Sequence, residues 1–255
     1  MKTRYFFLKF ITALFLMPVI VIGQTPDITL SHKAGKQTLP VPSDYNLLYG
    51  QLASPSNEGA VASQDFTDAP DYSCQGADDF IVPSGEVWNI YEIYVSGVYS
   101  TGGGVAPQAH LFFYENDPVL NIPGSTVISY LDHAVTATAL GDLTFYLTSD
   151  PIQLIAGHYW ISVQPHMPYD PYGQWYWLQQ ESPTILNENH WKNPGGGFGV
   201  PDSDNWLPCA AVVGGDDHNF TFGIYGSTGL LMVVNAGADA TICENQTAQL
   251  DGNAE

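Results

Sequence analysis

Six tryptophans, three cysteines and several aspartate pairs are the residues of this 255-residue chain whose types could do chemistry. Four of the tryptophans fall in one stretch, Gly157 to Gly199, GHYWISVQPHMPYDPYGQWYWLQQESPTILNENHWKNPGGGFG. Within QWYWL a strand's period of two sets Trp175 and Trp177 on one side and Tyr176 and Leu178 on the other. Trp191 and Trp206 fall in loops. Flat indoles in such places either plug a core or stack against a neutral ligand such as a sugar. The ligand-binding candidates are therefore Trp175, Trp177, Trp191 and Trp206, on the expectation that one face of QWYWL is at least partly exposed or covered by a loop. The run Pro194, Gly195, Gly196 and Gly197 would let the backbone fold tightly over a tryptophan. It lacks the strand, helix and lysine of a phosphate loop and so does not point to nucleotides.

Hard oxygen ligands come in pairs: Asp78 with Asp79, Asp202 with Asp204, and Asp216 with Asp217. Calcium takes six to eight such oxygens and is the best inorganic candidate, with Asp78 and Asp79 the more interesting pair, although solvated loop acids are the favoured reading. PDSDN lacks the third acid and the glycine of a calcium loop. Cys74 and Cys209 form the natural disulfide pair in an exported protein, against the alternative of two buried thiols; Cys243 is left odd. A catalytic reading needs a nucleophile with its base, a metal set or paired carboxylates in a cleft. H-E-x-x-H, G-x-S-x-G and C-x-x-C are all missing. The seven histidines are scattered singly, and His158 and His218, in or beside strands, suit structural imidazoles. No catalytic residue is expected, and the chain reads as a non-enzyme.

The elements that must carry these residues are strands. Lys2, Arg4 and Lys9 precede an apolar run from Phe10 to Ile22, which reads as a secretory signal peptide cleaved before Gln24, residues 1–23. The mature chain then holds Lys33, Lys36 and Lys192 against 26 acids, a net of −23. So acidic a surface excludes nucleic-acid binding, which needs basic groups to displace counterions. No second apolar span follows, so the mature chain is not expected to insert in a membrane.

With 13% aromatic and 13% charged residues the chain can bury enough apolar surface to fold. Residues 24–44 read as a linker. From residue 45 short alternating runs follow, bounded by Gly, Pro, Asn or Asp: strands at Leu47 to Leu52, Val61 to Phe66, Ala109 to Glu115, Thr126 to Leu131, Leu143 to Leu147, Ile152 to Ile155, His158 to Gln164, Gln174 to Leu178 and Asn219 to Tyr225. Asp71 to Tyr99 reads as a β-hairpin turning at Pro83 to Gly85. The fold class is all-β, an antiparallel β-sandwich of jelly-roll or immunoglobulin-like type over residues 45–226. Residues 227–255 read as a linker and the start of a second β-sandwich repeat.

The runs QGADDFIVPSGEVWNI, GHYWISVQ, QWYWLQQ and WKNPGGGFG, in this order, resemble a β-sandwich domain near the N-terminus of secreted bacterial multidomain proteins. VNAGADATICENQTAQLDGNA resembles the opening of a PKD or immunoglobulin-like repeat, as found in surface and secreted proteins exported by the type IX system. The resemblance implies fold, export and modular architecture, and no catalytic residues. The expected function is a non-catalytic exported module for cell-surface adhesion or glycan binding, its partner a glycan or surface polymer. The alternatives are an ancillary domain of a secreted hydrolase, or a purely structural spacer.

Overall fold

The structure, a computed structural model, describes residues 25–31, 45–52, 59–100, 104–180, 186–215 and 218–230, with the backbone of 234–235 and 253–254. Residues 1–23, read as a signal peptide, and Cys243 lie outside the described residues.

In chain order the strands are β1 (Thr29–Ser31), β2 (Asn46–Gln51), β3 (Gly59–Ala62), β4 (Asp65–Phe66), β5 (Gln75–Val95), β6 (Gly97–Tyr99), β7 (Gln108–Asn116), β8 (Pro123–Ala134), β9 (Thr136–Ala137) and β10 (Leu143–Tyr146). There follow β11 (Ile152–Met167), β12 (Trp175–Gln180), β13 (His190–Lys192), β14 (Leu207–Pro208), β15 (Asn219–Phe220), β16 (Phe222–Leu230), β17 (Val234–Asn235) and β18 (Asn253–Ala254). One short helix, α1 (Cys209–Val213), and a 3-10 turn over Pro70–Tyr72 interrupt them.

A smaller sheet runs β1-β3-β12-β15 with β6 on β12. The larger runs β14-β13-β5-β11-β7-β8, with β10 and β16 also on β5. Most pairings are antiparallel; β4 lies parallel to the end of β11. Ala60, Val61, Trp175 and Trp177 of the small sheet and Phe80, Ile90, Leu111, Phe113, Ile161 and Val163 of the large one belong to one buried cluster. The architecture is therefore all-β and sandwich-like, as the alternating pattern requires. No helix among the described residues is long and apolar enough to cross a membrane.

Four expectations change. The hairpin expected across Asp71 to Tyr99 is one long strand, β5. Its pairing with β11 jumps from Ile155↔Val87 to Gly157↔Val82, so Pro83 to Gly85 bulges out of a strand that keeps its direction. The residues expected as strands Ile152 to Ile155 and His158 to Gln164 are likewise one strand, β11, continuous through that irregularity. Part of the supposed linker 24–44 is strand β1, paired from Thr29↔Val61 to Ser31↔Gly59 and pinned by Asp27, whose N–H donates to Gln174 Oε1 at 2.8 Å. Finally, β16 does not stop at Gly226: its pairing with β5 continues to Leu230↔Glu86.

Candidate functional site

On β7 and β11 the apolar residues Leu111, Phe113, Ile161 and Val163 point into the core. Strand alternation then sends His110, Phe112 and Tyr114, and Trp160, Ser162, Gln164 and His166, to the opposite face. That outer face carries its own small apolar cluster, Ala77, Tyr114 and Trp160, against which Phe112 and Trp206 pack. Tyr114 meets Trp206 edge-on at 5.7 Å and stacks with Phe112 at 6.0 Å. Lys192 Nζ sits 4.3 Å from the Trp206 ring centre, a cation–π contact, and partial burial lowers its pKa.

Beside these aromatics lies a cleft of about 330 Å³ lined by Pro70, Ser73, Gln75, Gln164, Lys192, Pro194 and Gly195. Its floor is a pair of amides: Gln75 Nε2 donates to Gln164 Oε1 at 2.9 Å, Gln164 Nε2 to the Cys74 carbonyl at 2.7 Å, and the Tyr114 hydroxyl to Gln75 Oε1 at 3.2 Å. Each amide keeps a second proton and a second lone pair for a guest. The glycine run builds one wall. A Cβ at Gly195 would lie 2.6 Å from the Asp71 backbone, and Gly197 N–H donates to the Asp71 carbonyl at 2.8 Å, so only glycine lets this loop close against the 3-10 turn.

At the end of the same face is a cluster that sequence reading missed. Parallel pairing sets Asp65 of β4 opposite His166 of β11, and antiparallel pairing sets His110 of β7 opposite Gln164. His166 Nδ1 lies 2.6 Å and His110 Nε2 3.1 Å from Asp65 Oδ2, while the Ser73 hydroxyl donates to Oδ1 at 2.8 Å. The His110 hydrogen bond, followed by those of Ser73 and His166, holds the Asp65 carboxyl well below the usual carboxylate range. A bulge in β8 opposite His110, where the register jumps from Ala109↔His133 to Leu111↔Tyr130, puts Asp132 in the left-handed region at φ 54°. Its N–H donates to His110 Nδ1 at 3.0 Å, which leaves the ring proton on Nε2, directed at Asp65. Asp132 Oδ1 lies 3.7 Å from His110 Nδ1 and 3.8 Å from His166 Nε2. These four residues are dispersed along the sequence, without ligand spacing. The available signal was strand parity: both histidines fall on the side of their strands opposite the apolar core residues.

The residues singled out from sequence are placed differently. Trp175, Trp177 and Trp191 are fully buried. Each indole N–H is used up inside, Trp175 on the Gly141 carbonyl at 2.6 Å, Trp177 on Thr221 at 3.0 Å and Trp191 on Ala62 at 2.9 Å. The exposed face expected for QWYWL is not there, since every residue of β12 is buried. One side packs in the sandwich and the other is covered by neighbouring segments, with Gly97 making room for the Trp175 ring and Trp177 stacked on Phe220 at 4.6 Å. These three cannot offer a stacking platform; of the four, Trp206 alone is partly exposed.

Cys74 and Cys209 are both free, so the expected bridge is corrected to two buried thiols. Burial pushes the Cys74 thiol up to about 12 and raises that of Cys209 as well. Asp78 and Asp79, the candidate calcium ligands, have no exposure. Asp78 accepts from Phe220 N–H, from Asn219 Nδ2 at 3.0 Å and from Asp79 N–H at 2.8 Å. Asp79 accepts from His158 Nε2 at 2.6 Å and Asn187 Nδ2 at 2.6 Å. Protein donors thus occupy both carboxylates, and burial raises the Asp78 pKa well above the ordinary value.

No protein-family model matches the chain, and no curated protein sequence matches it.

Proposed function

We propose that the chain is a non-catalytic exported β-sandwich module for surface adhesion, and that it takes a neutral glycan in the cleft on the outer face of its large sheet. The observation that carries this reading is the cleft itself, lined by the amides of Gln75 and Gln164 and by Lys192, whose ammonium in turn lies over the partly exposed Trp206. Sugars present hydroxyls to amides and C–H faces to indoles, and the paired glutamines offer both donors and acceptors. An acidic chain repels anionic polymers, which leaves a neutral guest.

Glycan-array screening followed by titration calorimetry on the full secreted chain tests the reading. Trp206→Ala and Gln164→Ala should each weaken a positive glycan at least about tenfold, equivalent to about 1.4 kcal/mol, while circular dichroism stays unchanged. Uniform silence across glycans removes the binding claim, and binding indifferent to both substitutions removes the cleft. A second reading, the structural spacer, is favoured by the burial and internal hydrogen bonding of Trp175, Trp177 and Trp191. It expects Trp206→Ala to alter stability and no interaction.

A further inference from the structure

We infer that Asp65, His110 and His166 form a binding site for a divalent first-row transition ion of the zinc type, with Asp132 as its orienting carboxylate. The inference does not depend on what the neighbouring cleft binds.

The first support is compactness. One ligand atom from each of Asp65, His110 and His166 lies within 4.8 Å of the others, and the two rings are 4.8 Å apart between centres. A tetrahedral ion with bonds of about 2.0–2.1 Å separates its donors by roughly 3.3 Å. The His110–Asp65 contact of 3.1 Å is already close to that. His166, at 2.6 Å, has to withdraw by several tenths of an ångström, and its side chain, 28% exposed, has room on the solvent side.

The second support is the arrangement behind the ligands. Metal-bound histidines usually give their other ring N–H to a carboxylate or carbonyl, which fixes ring and tautomer. If the ion takes His110 Nε2 and His166 Nδ1, the protons move to His110 Nδ1 and His166 Nε2. Both nitrogens face Asp132 Oδ1, at 3.7 and 3.8 Å. The left-handed bulge at Asp132 is what brings that carboxylate to both rings. Ion binding on His110 Nε2 therefore requires the Asp132 N–H to leave His110 Nδ1 and the Asp132 carboxylate, 3.7 Å away, to take its place.

The third support is charge. Two carboxylates meet here, and Lys192 is the only lysine or arginine among the described residues. Lys192 is engaged over Trp206. A divalent cation balances the pair. Two imidazole nitrogens select zinc-like ions over calcium, which prefers oxygen alone.

Chelator-treated full chain should bind one equivalent of Zn²⁺ in competition with a chromophoric chelator, and Co²⁺ in its place should give a visible d–d spectrum. Asp65→Asn and His166→Ala should weaken binding at least about 100-fold, and Asp132→Asn about 10- to 100-fold, the range typical of an orienting partner. His133→Ala, a nearby histidine outside the set, should change nothing. Thermal melts with and without zinc give a second readout: wild type gains stability and His166→Ala does not. The proposal is overturned by wild-type chain that binds no Zn²⁺, or by binding that survives the paired substitution of His110 and His166. Equal loss in His133→Ala would also overturn it, since that marks a diffuse surface effect.

Discussion

The outer face of β11 carries two histidine–aspartate contacts, one at His158 in mid-strand and one at His166 near its end, and the two differ in what surrounds the carboxylate. At the first, Asp79 has no exposure and accepts from His158 and from the side chain of Asn187, each at 2.6 Å. At the other, Asp65 is 32% exposed, shares one oxygen between two imidazoles and has a second carboxylate beyond them. The same pair of residue types thus serves two purposes. A buried carboxylate saturated by protein donors fastens strands together. A half-open one, shared by two rings whose second nitrogens face another carboxylate, is the site proposed above for an ion.

The sharpest way to break this comparison is to remove each carboxylate. Asp79→Ala leaves His158 and Asn187 without their acceptor inside the fold and should cost about 3 kcal/mol in urea unfolding. Asp65→Ala, half open to water, should cost about 1 kcal/mol. Equal losses at the two positions would mean that the difference in surroundings does not matter.

The neighbouring Asp78 sharpens the buried side through pH. Its carboxyl pKa is raised in the folded state, chiefly by burial and next by the Asp79 charge. The folded chain therefore holds the proton more tightly than the unfolded one, and this residue's contribution to stability falls as pH rises from the ordinary carboxylate value of about 3.9 through the folded value. Asp78→Asn should flatten that fall while lowering stability overall by about 1–3 kcal/mol, since its amide meets the Phe220 N–H with a donor. A profile parallel to wild type from pH 4 upward would assign the fall to other groups. The smallest effect concerns Cys74 and Cys209: because both are free, a reducing agent should leave the melting temperature unchanged, and thiol reagents should react with them only after unfolding.

Much of the fold was legible in the residues. Leu111 and Phe113, and Ile161 and Val163, keep the period of two that a half-buried strand imposes, and the all-β class follows from such runs. Where period was missing, inference failed for a local reason. Pro83 to Gly85 carries turn chemistry, yet the same residues make a bulge, because the choice between turning back and continuing is made by the partner strand β11. The chemistry was less legible than the fold. The tryptophans drew attention as large aromatics in polar surroundings, but burial is set by what lies across the gap. Gly97 and Phe220, which pack on Trp175 and Trp177, are far from them in sequence.

By itself the sequence determined the fold class, the strong acidity of the chain, and the glycines needed where chains touch. Only the tertiary structure decided which tryptophan meets solvent, that Cys74 and Cys209 stay apart as thiols, and that Asp65, His110, Asp132 and His166 meet. The physical reason is that alternation and composition are local, whereas a site made from β4, β7, β8 and β11 exists only once strand register has been chosen, and register is a property of pairs of strands.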